Sequence, residues 1–121
     1  MHLVPADRAG RRIIDDHRVC DAIAAVGDSG DVARWAGRFA VLSDPNRLAL
    51  LLAIHAAAPI SVTDLSVATG MNDAAVSQAL RLLRTGGLVT GERTGRVIRY
   101  RLADPVIHSL LHLVRPPHEA P

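Results

Sequence analysis

The 121-residue sequence contains no lysine, one cysteine and three aromatic residues, Trp35, Phe39 and Tyr100. Cys20 alone cannot build a disulfide framework, and its solitude fits a reducing compartment. It also restricts metal chemistry, because a thiolate-rich centre for a soft metal would need more sulfur than the two cysteines a symmetric dimer supplies. So few aromatics argue against a single-strand nucleic-acid binder, which stacks bases on aromatic platforms, whereas duplex binding needs none. A core must come from Leu, Val, Ile and Ala, and with 49% hydrophobic residues the chain can bury one as a single domain. No uninterrupted apolar stretch approaches about 18 residues, and Met1 to Gly10 has no apolar h-region. The expectation is a cytoplasmic protein without membrane contact. A Gly-rich phosphate loop, paired carboxylates in a predicted cleft and a nucleophile with an evident base are all missing, so the sequence does not read as an enzyme.

What is present is concentrated between Val62 and Leu102. Apolar residues recur at helical spacing from Val62 to Thr69 and again from Asp73 to about Thr85, with a turn at Gly70 to Asn72, which is helix-turn-helix spacing. Asn72 can cap the second helix, and Asp73 suits the positive end of its dipole. Val76, Leu80 and Leu83 fall on one face at i, i+4, i+7 and are expected to pack inward. That leaves Asp73, Ser77, Gln78 and Arg81 on the other side, as short polar or basic groups of the kind that read a major groove.

Gly86 and Gly87 end that helix. Leu88 to Arg93 and Arg96 to Leu102 then read as two strands joined at Thr94-Gly95, with Val97 and Arg99 alternating against Ile98 and Tyr100. This is a hairpin wing with a basic rim. Arg81, Arg84, Arg93, Arg96, Arg99 and Arg101 against Glu92 give residues 81–101 a charge of +5, while the whole chain carries only +2. Local basicity beside a helix-turn-helix is the electrostatic footprint of a duplex DNA binder. The candidate DNA contacts are Asn72, Asp73, Ser77, Gln78, Arg81, Arg84, Arg93, Arg96 and Arg99.

The runs Leu42-Ser-Asp-Pro-Asn-Arg-Leu-Ala-Leu-Leu, Ser61-Val-Thr-Asp-Leu, Val76-Ser-Gln-Ala-Leu-Arg-Leu-Leu-Arg, Gly86-Gly-Leu-Val and Gly95-Arg-Val-Ile-Arg-Tyr-Arg-Leu together resemble the ArsR/SmtB family of bacterial winged-helix repressors. The resemblance covers about residues 35 to 113. It implies a homodimer that represses its target operon and releases DNA when a metal ion or another signal binds, without identifying that signal. The fold it implies is mainly α with a β-hairpin wing: a dimeric winged helix-turn-helix of five to six helices.

Residues 1 to about 10 carry Pro5 and Gly10 without periodicity and read as a flexible arm. A first helix is expected from about Arg11 to Val26. A second should run from Asp31, as its cap, to about Leu42, and a third, almost wholly apolar, from about Asn46 to Ala57 after Ser43-Asp44-Pro45. Arg47 reads as structural, with phosphate contact the alternative, and His55 reads as a surface histidine at a helix C-terminus. Asp104-Pro105 opens a last helix to about Val114, and Pro116-Pro117 stops it. The domain thus spans residues 11–115, with dimerisation helices at both ends and a tail at 116–121. The last helix is apolar on most faces and calls for a partner, so a charge at Leu110 or Leu111 is expected to dissociate the dimer.

Two metal sites common in the family are not carried over. Ser61 and Thr63 stand where one has cysteines; Val106 replaces a histidine of the other, and the last helix stops before that site's second pair. What remains is His108 and His112 at i, i+4, His17 with Cys20, Asp16 and Asp21 on the first helix, and His118-Glu119 in the tail. Helical spacing of this kind lets two side chains grip one ion. Imidazole, carboxylate and at most one thiolate per protomer suit nickel, zinc or cobalt better than arsenite or mercury. The sequence therefore reads as a repressor binding a palindromic operator as a homodimer and responding to a divalent transition metal. The alternatives are a winged-helix regulator with a non-metal signal, or a metal-handling or protein-interaction module that does not read DNA.

Overall fold

The computed structural model describes residues 4–114. His118, Glu119 and the 116–121 tail lie outside the described residues, as do the first three residues of the expected arm. The chain divides into two units, Met1–Phe39 and Ala40–Pro121.

In the first unit a 3-10 turn at Ala6–Arg8 precedes helix α1, Asp16–Val26, and most of helix α2, Ser29–Leu42. The α1 helix starts five residues later than its periodicity predicts. Asp15, in an extended conformation, accepts the N–H of Arg18 at 3.1 Å and so caps the helix, leaving Ile13 and Ile14 ahead of it. Gly27 closes α1 at φ +68°. The α2 helix begins two residues earlier than expected, because Asp28 rather than Asp31 accepts the opening N–H, that of Asp31 itself, at 2.9 Å. The Asp31 carboxylate instead pairs with Arg34 one turn on. Further along α2 the Arg38 guanidinium lies 5.1 Å from the centroid of the Trp35 ring, a cation–π distance, and Trp35 stacks with Phe39 at 6.0 Å.

The second unit is built around helix α3, Pro45–Ala57. Asp44 caps it by accepting the Arg47 N–H at 2.9 Å, and Pro45 takes the first turn, where its missing N–H costs nothing. Leu50, Leu51 and Ile54 on α3 are fully buried, the spine expected from the apolar run. Strand β1, Ile60–Ser61, was not foreseen, being only two residues long. It leads directly into α4, Val62–Thr69, and α5, Asp73–Thr85. Strands β2, Val89–Thr94, and β3, Val97–Leu102, follow, then α6, Pro105–Leu113.

The sheet is antiparallel in the order β1-β3-β2, with Ile60 opposite Tyr100, Val89 opposite Leu102 and Thr94 opposite Val97. The hairpin turn is therefore Gly95-Arg96, one residue later than the sequence pattern places it. Gly95 takes φ +65° and Arg96 does not take a positive φ, the pattern of a type II′ turn, whose twist matches the flanking strands. Leu65 of α4, Val76, Leu80 and Leu83 of α5, Leu88 and Val89 at the wing's base, and Ile107 and Leu111 of α6 complete one apolar cluster with α3. Among the described residues, six α-helices and a three-stranded sheet in this order make a winged helix-turn-helix.

Candidate nucleic-acid interface and metal-ligating residues

Local chemistry sets the start of α5. Asn72, in an extended conformation, accepts the Ala75 N–H with its side-chain oxygen at 2.8 Å. Asp73 accepts a hydrogen bond from the Ser66 hydroxyl, tying the first turn of α5 to α4 across the turn. Gly70 makes that turn possible at φ +77°, a left-handed conformation that costs a side-chain-bearing residue about 1–2 kcal/mol. Both Asn72 and Asp73 are thus engaged within the protein, where they fix the position of the helix that follows.

The other end of α5 is closed by a Schellman motif. The Leu88 N–H donates to the Leu83 carbonyl at 2.9 Å and the Gly87 N–H to the Arg84 carbonyl at 3.0 Å, with Gly87 at φ +79°. Leu88, the last residue of the motif, is buried, so the exit into the wing is held at a set angle.

Between these ends the two faces of α5 separate cleanly. Val76, Leu80 and Leu83 are at most 2% exposed. Ser77, Gln78, Arg81 and Arg84 are exposed. Ser77, Arg81 and Arg84 line a notch of about 220 Å³ together with Leu80 and Tyr100 of β3. Gln78 lines a second groove, of about 240 Å³, with Asp44, Asn46, Arg47 and Met71. Arg47 sits at the start of α3 with its Nε 3.7 Å from the Asp44 carboxylate.

The wing register sorts its arginines. Cross-strand partners share a face, so Val89, Gly91 and Arg93 lie with Leu102, Tyr100 and Ile98, while Thr90, Glu92 and Thr94 lie with Arg101, Arg99 and Val97. Arg93 therefore stands on the face that carries Tyr100 toward α5, and Arg99 stands on the opposite one. Arg99 is directly opposite Glu92, and Arg101 reaches the same carboxylate at 3.4 Å. The three wing arginines that the sequence groups together are divided by the pleat, with Arg96 in the turn between them. Gly91 permits the arrangement: a Cβ there would stand 3.0 Å from both Ile98 Cγ2 and Tyr100 Cε1, so the tyrosine ring lies directly over it.

The metal-ligating candidates fall in both units. Asp16, His17, Cys20 and Asp21 line one groove of about 460 Å³ with Val4, Ala9 and Ile13. In the second unit Asp104 caps α6 by accepting the N–H groups of Val106 at 2.8 Å and Ile107 at 3.3 Å, and His108 and His112 lie on the exposed side of that helix. Beside them is a residue the sequence reading set aside. The ring of His55, half-buried in the last turn of α3, has its centroid 4.8 Å from that of His108 and 5.7 Å from that of His112. Its place at a helix C-terminus carried no hint of this, since 53 residues separate it from His108 and only the packing of α3 on α6 joins them. Among the described residues no three His, Cys, Asp or Glu side chains already stand together in positions that could hold a metal ion. No described helix is long and apolar enough to cross a membrane.

Comparison with known proteins agrees with this architecture. A MarR-family model matches residues 42–97. The HTH-type transcriptional regulator NmtR of Mycobacterium tuberculosis is 44% identical over 84 residues, covering 69% of each chain. The solution structure of apo-NmtR superimposes with a TM-score of 0.64 at 36% identity, over 78% of this chain and 87% of that one. An SmtB-homolog transcriptional repressor of Synechocystis is 42% identical over 72 residues, 60% of this chain and 54% of its own length. The homodimeric winged helix-turn-helix domain of Mb0332 from Mycobacterium bovis, described as a possible ArsR-family regulator, gives a TM-score of 0.58 at 32% identity, over 73% of this chain and 84% of that one.

Proposed function

This chain belongs to the ArsR/SmtB family of winged helix-turn-helix transcriptional regulators, and on that premise we propose that it is a repressor that binds a palindromic operator as a homodimer and answers to a divalent transition metal. One arrangement supports the DNA reading above all: Ser77, Gln78 and Arg81 are exposed on α5 opposite the buried Val76, Leu80 and Leu83, between a fixed start and a fixed exit. In this reading Ser77, Gln78 and Arg81 contact base edges in the major groove, and Arg84, Arg93, Arg96 and Arg99 contact the sugar-phosphate backbone or the minor groove. Asn72 and Asp73 serve the interface by holding the helix in place.

Two protomers present two recognition helices to two half-sites, which is why a dimer and a palindrome go together. The homodimeric domain from Mycobacterium bovis supports that assembly. The effector is assigned to zinc, nickel or cobalt because the candidate ligands are imidazoles and carboxylates with one thiolate per protomer. His108 and His112 are its core ligands. A regulator with a non-metal signal is the second reading, favoured by the lack of a preformed ligand group among the described residues.

A mobility-shift titration with duplex DNA from upstream of the protein's own gene tests the DNA reading. A salt-sensitive, sequence-specific shift below micromolar protein is the expected result. No shift at low salt with micromolar protein would sink it.

A further inference from the structure

In the second unit the imidazole of His55 on α3 lies beside those of His108 and His112 on α6. Two rings that ligate the same tetrahedral ion at Zn–N distances of about 2.05 Å place their centroids about 5 Å apart. The observed separations from His55, 4.8 Å and 5.7 Å, bracket that value. The ring planes are inclined at 56° and 64° rather than stacked. That inclination lets ring nitrogens of different histidines turn toward a common point.

The backbone that carries the rings is well fixed. Ile107 and Leu111, each on the position before one of the α6 histidines, are at most 1% exposed, and Ile54, the neighbour of His55, is fully buried. His108 and His112 are exposed, so their rings can turn between staggered rotamers without disturbing the core.

We propose that His55, His108 and His112 form a tris-imidazole metal site within one protomer, joining the C-terminal end of α3 to α6 and leaving a fourth position for water or an outside ligand. Ion binding turns the exposed rings of His108 and His112 so that their nitrogens come together with that of His55. A set of three neutral nitrogens selects zinc, cobalt or nickel over magnesium and calcium, which take oxygen, and over arsenite, which takes sulfur. The site names the third ligand for the metal response proposed above, and only its regulatory consequence rests on that reading. That consequence follows from α3, which packs against both α6 and the first helix of the helix-turn-helix. An ion that clamps α3 to α6 stiffens the support of the recognition helix.

Cobalt(II) titration of the full, untagged chain, followed by its visible absorption, tests the site without DNA. The expected result is one ion per protomer with tetrahedral ligand-field bands and no thiolate charge-transfer band. Loss of even an outer-shell partner commonly weakens a metal site about 10–100-fold, so His55→Gln and His108→Ala/His112→Ala should each weaken cobalt by at least about 100-fold. Cys20→Ser should bind as the parent does. Thermal melting of each apo variant separates loss of a ligand from loss of fold; if His55→Gln melts early, His55→Asn is the substitute. Parent-like cobalt affinity in a folded His55 variant overturns the proposal, as does a thiolate band abolished by Cys20→Ser. A parent chain that binds cobalt as expected but shifts no DNA would sink the repressor reading and leave the metal site standing.

Discussion

At the scale of single residues, the proposed DNA surface divides into groups that differ in kind. Gln78 and Arg81 are exposed on a helix whose ends are both hydrogen-bonded, so they are presented in a defined position, as the proposed base readout requires. Arg99 stands on the wing face turned away from Tyr100, in register with Glu92, whose carboxylate Arg101 reaches. Gln78→Ala or Arg81→Ala should each cost about 1–3 kcal/mol of operator binding and relax sequence preference. Arg99→Ala should cost less, act alike on all sequences and flatten the salt dependence of binding by about one unit of slope or less. Competition titrations with operator and random duplex at two salt concentrations measure both effects; equal, sequence-independent losses at all three positions would defeat the division. Arg93, on the Tyr100 face, is expected to matter more than Arg99 in the same experiment.

At the scale of elements, what could be read from the sequence was whatever local chemistry decides. The spans of α4 and α5, the Asn72 cap, the buried triad of Val76, Leu80 and Leu83, and the Asp104-Pro105 start of α6 all follow from capping and from the 3.6-residue period. The errors arose where two local signals competed. Aspartates at 15 and 28 captured helix N-termini that periodicity or a neighbouring aspartate seemed to claim. The turn slipped from Thr94-Gly95 to Gly95-Arg96 because a glycine at the first turn position satisfies the type II′ turn. Features set by tertiary packing were not legible at all: the two-residue β1, the pleat that separates Arg93 from Arg99, and the approach of His55 to His108. Gly91 belongs with these, since nothing in its flanking sequence announces the ring above it. Gly91→Val would drive a branched side chain into Ile98 and Tyr100, and overpacking of this order costs about 1–3 kcal/mol. The variant should melt several degrees lower, and it should bind operator more weakly through a displaced wing; an unchanged melting temperature by calorimetry would contradict the packing argument.

At the scale of the whole molecule, the structure redirects the test of assembly. Charge at Leu110 or Leu111 was the expected way to split the dimer, but Leu111 is 1% exposed and Leu110 packs against the core, so a charge there would disturb the protomer itself. Leu113, on the same helix, is 79% exposed and is the better probe. If α6 pairs with a second copy, Leu113→Glu should yield a folded monomer by light scattering at micromolar concentration and lose operator affinity, because each half-site alone binds weakly. A dimer of unchanged stability would place the interface elsewhere. Metal ions should be chelated during this measurement, so that ligation does not mask the loss of apolar contact.

The arrangement of Trp35 beside Arg38 and Phe39 has a practical corollary, because this is the only indole in the chain and Tyr100 is the only phenol. One lies in the first unit; the other faces the notch lined by Ser77, Arg81 and Arg84. Intrinsic fluorescence thus carries two addresses: excitation selective for the indole follows α2, whereas tyrosine emission follows the wing. A nucleic acid that fills the notch would quench the second signal directly, and a simultaneous change in the first would mean that the event had also been felt in the first unit.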